Sequence, residues 1–254
     1  MLVHEVRSSY SHIQIRDYGN LRAMLFLDDN GNATVETLMD LREPQRLQHQ
    51  YSHTLMAGLL YLDDPSTALL VGLGGGAVVR FLAHEFSGMR LDAVEIDPVV
   101  VGLARDYFGT GPGGHTRIFT EDAYEYLGRT SDRYDLIFLD AHLKPGAQND
   151  ASGQPLRLKS AAFLRNLQMR LRPGGVVAFN LMEGLHTGAD IAALRASFAQ
   201  TAVFRSAWKG NVIVVALPAA RVPDEDELRR RARELDRRNQ RGFTFESLLE
   251  QRER

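Results

Sequence analysis

The residues with chemistry to offer sit where short apolar runs end, and in open α/β sheets those ends are where ligands bind. Gly72-Leu73-Gly74-Gly75-Gly76-Ala77 follows the run Ala68 to Val71 and fits G-x-G-x-x-G/A with alanine last. Glycines in such a turn let backbone approach a ligand with no Cβ in the way, and the helix start behind it favours polar or anionic groups. About twenty residues on, Glu95 ends the next run in Ala93-Val94-Glu95-Ile96-Asp97-Pro98, where a carboxylate accepts both hydroxyls of a ribose. Asp97 is the alternative for that role. Asp122 in Glu121-Asp122-Ala123 ends a third run, where an acid can receive an adenine amino group, cap the helix that follows, or do both. Asp140 closes Tyr134 to Asp140, at the same edge of the expected sheet.

The elements that must position these groups follow from periodicity. Apolar runs at Ala68 to Val71, Leu91 to Ile96, Arg117 to Thr120, Tyr134 to Asp140, Val176 to Leu181 and Val212 to Leu217 alternate with helical stretches. The helical stretches are Val78 to Phe86, Pro98 to Tyr107, Ala123 to Leu127 and Ser160 to Leu171. This alternation is the pattern of a parallel sheet with crossover helices, and Val203 to Arg205 is a further strand candidate beside the sixth run. The predicted fold class is α/β, a doubly wound Rossmann-like domain.

Before it, residues 10 to 38 read as a small antiparallel ribbon turned at Asn30-Gly31, and Gln48 to Leu62 reads as a helix with Tyr51, Leu55, Leu59 and Leu62 on one face. After it, Pro218 and Pro223 bracket a linker to a charged helix, Asp224 to Arg241. Leu228 and Leu235 form the narrow packing stripe of that helix, and Phe243, Phe245, Leu248 and Leu249 are expected to dock the tail. The expected division is residues 1–65, 66–218 and 219–254.

Composition narrows the function. The chain has 254 residues, 44% hydrophobic and 24% charged, which are ordinary values for a globular protein. Thirty basic against thirty-two acidic residues, net −2, gives no global field for nucleic acid. Zero cysteines exclude disulfides, thiolate metal sites and cysteine nucleophiles. Neither a leader pattern nor an apolar run long enough to span a bilayer is evident, so a cytoplasmic protein without a membrane partner is expected. His49 and His53 are spaced i, i+4, but no third ligand is apparent and no metal is expected. No G-x-S-x-G elbow appears, and no second glycine fingerprint follows residue 140 as a dinucleotide enzyme would want. Leu171-Arg172-Pro173-Gly174-Gly175, a glycine turn before a buried strand, resembles a pattern common in adenosylmethionine-dependent transferases of class I.

Over residues 8 to 217 the chain resembles the spermidine synthase (polyamine aminopropyltransferase) family. The resemblance is carried by Ser9-Tyr10-Ser11-His12-Ile13, Leu25-Phe26-Leu27-Asp28, Tyr51 with Leu55, the loop at 72 to 77, Val94-Glu95-Ile96-Asp97, Asp122-Ala123 and Tyr134 to Asp140. It implies a homodimer, a β-ribbon before a nucleoside-binding domain, and decarboxylated S-adenosylmethionine as a co-substrate that is not permanently bound. It further implies that Glu95 holds the ribose, that Asp122 with Ala123 meets the adenine, and that Asp140, helped by Tyr51, orients or deprotonates an attacking amine.

Three departures bear on the donor's tail and on the acceptor. The family carries an aspartate where this chain has Gly75, and that acid receives the donor's amine. The polyamine-gripping residues after the strand-end aspartate are replaced by Ala141-His142-Leu143-Lys144-Pro145, and the acidic pair before the helix tyrosine by Leu47-Gln48. Lys144, Arg157 and Lys159 outnumber Asp150 in the loop that follows. Methyl transfer from intact S-adenosylmethionine and a non-catalytic nucleoside-binding or scaffold role therefore stand as alternatives to aminopropyl transfer to an amine.

Overall fold

The structure, a computed structural model, describes residues 1–142, 149, 153, 155–206, 210–218, 222–238 and 242–253. Trp208-Lys209-Gly210-Asn211 reads in the sequence as a turn between two late strands; Trp208 and Lys209, and the loop residues Leu143, Lys144, Pro145 and Asp150, lie outside the described residues.

Four antiparallel strands form an N-terminal sheet in chain order: β1 Leu2–Arg7, β2 His12–Tyr18, β3 Leu21–Leu27 and β4 Ala33–Asp40. The sheet is larger than the expected ribbon by β1, whose mostly exposed and half-exposed residues carry little apolar signal. The β3–β4 turn is tied by the Asp28 carboxylate, which accepts from the Asn30 and Asn32 amides, and Gly31 supplies its positive φ of 82°.

A short helix α1 (Gln50–Leu55) continues into a 3-10 turn at Met56–Tyr61 where a single helix was expected. Every residue of that turn is buried, so no exposed face favours regular winding. It lies close on the large sheet at Gly58, where a Cβ would stand 3.0 Å from Leu136 and 3.3 Å from Ala178.

The second sheet has seven strands. They are β5 (Thr67–Val71), β6 (Arg90–Glu95), β7 (Thr116–Thr120), β8 (Tyr134–Leu139), β9 (Leu171–Met182), β10 (Gln200–Arg205) and β11 (Asn211–Leu217), in spatial order β10-β11-β9-β8-β5-β6-β7. β5 to β9 run parallel, and β10 and β11 close one edge antiparallel. Strand order reverses between β5 and β8, so the loops after those two strands face one crevice.

Helices cover both faces: α2 Ala77–Glu85, α3 Pro98–Phe108, α4 Ala123–Arg129, α5 Ala161–Met169 and α6 Thr187–Ser197. All five residues of β5 are buried, as a strand covered on both faces requires. Local chemistry sets the helix starts. Asp97 caps α3 with Pro98 behind it, Asp122 caps α4 and Ser160 caps α5. Helix α5 stops short of Leu171, which pairs with Tyr134 as the start of β9. Helix α6 was not expected, because its Ala-rich sequence has little periodic contrast.

The N-terminal sheet packs Ile13, Ile15, Met24 and Met39 on Val100, Leu103 and Phe108 of α3, which brings β4 against the glycine loop. Helices α7 (Glu225–Arg238) and α8 (Phe245–Glu250) complete the described chain, with Leu228, Phe245 and Leu248 buried in the main core and the Phe243 ring stacked 4.7 Å from that of His53. No helix among the described residues is long and apolar enough to cross a membrane.

Candidate active site

A cavity of about 760 Å³ opens where β5 and β8 part, roofed by β3 and β4 of the small sheet. It is large enough for a nucleoside with an attached chain. Gly72, Gly74, Glu95, Asp122, Ala123, Tyr51 and Asp140 all line it, so most of the residues singled out in the sequence converge there.

Gly72 is the tightest point of the floor. Its φ is 90°, and a Cβ there would fall 2.3 Å from the carbonyl oxygen of Asp140. The turn after β5 thus rests directly on the main chain after β8. The Asp140 amide also donates to the Val71 carbonyl at 2.9 Å.

Glu95 is buried under the loop, and each of its oxygens accepts a backbone amide: Leu73 at 2.8 Å and Asp97 at 3.0 Å. Desolvation raises its carboxyl above the ordinary range, with those amides opposing. A carboxylate oxygen has a second lone pair, so the same group that shapes the loop can accept hydroxyls from the cavity side.

Asp97, the alternative for that role, is not among the lining residues. Its carboxylate accepts from the Val99 amide and from the Ser8 hydroxyl, with 1% exposure, which fixes the start of α3 against the small sheet. The Asp-Pro step that marks a helix start explains it better than a ribose does.

Gly75 and Gly76 likewise shape the loop from behind. The Gly75 amide donates to Thr37 Oγ1 at 2.8 Å, and a Cβ at Gly75 would lie 2.7 Å from Thr37 Cγ2 and 3.0 Å from the Phe108 ring. The space that an acid at this position would use is filled by β4 and α3. The Gly75 carbonyl is held by the Arg80 guanidinium, whose other bonds reach Thr110 Oγ1 and the Pro44 carbonyl; burial lowers that guanidinium to about 10.

Asp122 caps α4 through the Tyr124 amide at 2.7 Å and takes an ion pair from Arg157 at 2.9 Å. Arg157 also pairs with Glu125 and lies 4.4 Å over the Tyr124 ring, while Lys159 pairs with Asp190 at 2.6 Å. These two cations of the loop after β8 are therefore met by acids from outside it, which the loop's own charge count does not reveal.

At the other end of the cavity Asp140 accepts from Asn180 Nδ2 at 2.7 Å and from the Tyr51 hydroxyl at 3.5 Å. Asn180 is oriented in turn by Asn211 Nδ2, 2.9 Å from its side-chain oxygen. His142 Nδ1 stands 3.9 Å from Asp140. Burial pushes the Asp140 carboxyl up to about 7, against the pull of Asn180 and Tyr51. A carboxyl at that value near neutrality is matched to taking up a proton during reaction. Burial, then the neighbouring carboxylates of Asp140 and Glu36, holds the Tyr51 phenol well above its ordinary range, so Tyr51 acts as a neutral donor.

Three lining residues had no signal in the sequence. Asn180 and Asn211 lie on β9 and β11, strands read only as apolar runs. Glu36 on β4 lines the same cavity, and its carboxyl is pushed up to about 7 by burial and by the charges of Asp140 and Glu95. The ribbon's alternation marks such a residue only as outward-facing.

The His49/His53 pair is joined by no third ligand side chain among the described residues. His53 Nε2 meets the Leu47 carbonyl at 2.9 Å, and no metal-holding cluster of His, Asp or Glu occurs among the described residues. His49 lines the cavity, and desolvation lowers its imidazole below the ordinary value.

Residues 48–207 match the spermine/spermidine synthase domain. A polyamine aminopropyltransferase from Vibrio vulnificus is 33% identical over 184 residues, 70% of this chain and 58% of that protein. Among solved structures, human methyltransferase-like protein 13 in complex with SAH superposes with a TM-score of 0.70 at 26% identity, over 77% of this chain and 96% of that one. A probable spermidine synthase from Corynebacterium glutamicum superposes with a TM-score of 0.72 at 20% identity, over 95% and 88% of the two chains, and that likeness is one of fold.

Proposed function

Because the chain belongs to the spermine/spermidine synthase domain family, we propose that it transfers an aminopropyl group from decarboxylated S-adenosylmethionine to an amine. The observation that carries this reading is Asp140: a half-buried carboxyl at the end of β8, raised to about 7 and held by Asn180 and Tyr51 beside the glycine loop. Glu95 takes the ribose hydroxyls, Gly72 and Gly74 let the nucleoside lie against backbone, and Asp122 with Ala123 faces the base.

The acceptor arrives as an ammonium, and the Asp140 carboxylate draws it in and takes one proton. The freed nitrogen lone pair forms the new bond to the methylene beside the sulfonium. The carbon–sulfur bond breaks, its electrons remain on sulfur, and methylthioadenosine leaves neutral. The enzyme's contribution is position and one proton acceptor. The donor enters as a co-substrate and leaves as methylthioadenosine, and the acceptor is a small amine.

Calorimetric titration with decarboxylated S-adenosylmethionine, intact S-adenosylmethionine and methylthioadenosine, followed by an amine screen for methylthioadenosine release, tests the reading. Tightest binding of the decarboxylated donor together with amine-dependent turnover is expected. Equal or tighter binding of the intact donor, with methyl transfer and no amine-dependent release, would replace it.

A further inference from the structure

β4 is not a regular strand. In its pairing with β3, Met24 faces Thr37 and Leu25 faces Val35, which leaves Glu36 as the extra residue of a β-bulge. Alternation would send residues 36 and 37 to opposite faces. The bulge instead lets both line the cavity, Thr37 holding the glycine loop and Glu36 reaching toward the ligand space.

What surrounds Glu36 there is electrically one-sided. The charges acting on it are the carboxylates of Asp140 and Glu95, and among the described residues no hydrogen bond or ion pair offsets its burial. The arginine lining the same cavity, Arg157, is engaged by Asp122 and Glu125. A carboxylate withdrawn from water among like charges is stabilised by a cation brought to it.

Position narrows which cation. Glu36 lines the same cavity as Glu95 and Asp140, the ribose acid and the amine acid of the reading above, so a ligand that spans from one to the other shares that cavity with it. Resting on the aminopropyl reading above, we propose that Glu36 is a donor-specificity residue: its carboxylate receives the primary ammonium of the donor's propylamine chain and disfavours a donor that carries a carboxylate. The glycine loop cannot supply this acid itself, since a side chain at Gly75 would meet Thr37 and Phe108.

The test compares two neutral-sulfur ligands, methylthioadenosine and decarboxylated S-adenosylhomocysteine, whose chain extends the methyl by two methylenes and a terminal ammonium. The wild-type chain should bind the ammonium compound about 10- to 100-fold more tightly, the range of a partly buried charged pair. Glu36→Gln should reduce that ratio to within about 3-fold while leaving methylthioadenosine unchanged, which also shows that the variant folds. A ratio preserved in Glu36→Gln overturns the proposal, as does an equal loss for both ligands, which would make Glu36 a nucleoside or structural contact. Wild-type protein that binds neither ligand overturns the nucleoside reading itself, a result distinct from a preserved ratio.

Discussion

The ionisation of Asp140 is set by two opposed effects, desolvation and hydrogen bonding to the charged form. Burial pushes the carboxyl up to about 7, and the Asn180 amide at 2.7 Å restrains that rise by bonding to the charged form. A hydrogen bond to a charged group contributes about 1.5–3 kcal/mol, and each 1.4 kcal/mol is one pH unit, so losing it should raise the carboxyl by about 1–2 units. Asn180→Leu removes the donor and fills its space against water. Asp140 must be ionised to receive the ammonium, and kcat/KM reports the free enzyme. The acid limb of kcat/KM should therefore move from near pH 7 to about pH 8 or above, with the plateau at high pH much less affected. Asn211→Ala, which only frees Asn180 to turn, should give a smaller movement in the same direction. Stopped assays of methylthioadenosine release between pH 5.5 and 9.5 measure both. An acid limb unmoved in Asn180→Leu, with activity simply lowered at every pH, would refute Asp140 as the group that titrates.

Asp140→Asn should abolish amine transfer yet leave methylthioadenosine binding within about 3-fold, and transfer surviving in this variant would remove Asp140 from the chemistry. The same variant has a stability signature. Because the folded carboxyl titrates near 7 and an unfolded one near 4, wild-type stability falls as pH rises through that interval. Asp140→Asn should match wild type near pH 4 and exceed it above pH 7, by on the order of 2–4 kcal/mol, in denaturant melts. Glu95→Ala should weaken methylthioadenosine binding by at least about 10-fold, read by calorimetry. Asp97→Ala should lower the melting midpoint through loss of a helix cap, about 1 kcal/mol, with the nucleoside dissociation constant unchanged; a weakened nucleoside would return Asp97 to the site. Gly75→Ala should destabilise by about 1–3 kcal/mol through overpacking, partly relieved in combination with Thr37→Ser, which removes the methyl group the new Cβ meets.

Much of this was legible in residue order because the groups concerned punctuate elements. Gly72, Glu95, Asp122 and Asp140 each close a strand-like run, and in a parallel sheet the ends of such runs share one edge. Asp97 stays ambiguous in residue order for the same reason: an acid at a run's end can cap a helix or reach a ligand, and its bonds to the Val99 amide and the Ser8 hydroxyl place it at the helix start. The contribution of the small sheet was not legible. Glu36 reaches the cavity because of a one-residue slip in register, a property of two paired strands that neither strand carries alone. Asn180 and Asn211 lie within β9 and β11, where apolar neighbours hide them, and they meet through pairing set by the sheet's order. The broken helix at Met56–Tyr61 also follows from what it lies on, the sheet beneath Gly58.

The contact between Gly72 and the Asp140 carbonyl has a mechanical consequence. Two peptide segments that touch without an intervening side chain travel together, so the glycine loop and Asp140, the nucleoside cradle and the proton acceptor of the proposed reaction, form one rigid seam across β5 and β8. The separation between donor and proton acceptor is then a constant of the sheet, insensitive to what enters. In the proposed reaction, any adjustment to a longer or shorter acceptor falls to the pieces that lean on the seam from outside: β4 with Glu36, and helix α1, which carries Tyr51. Those pieces can shift while the spacing between the glycine loop and Asp140 stays where the backbone put it.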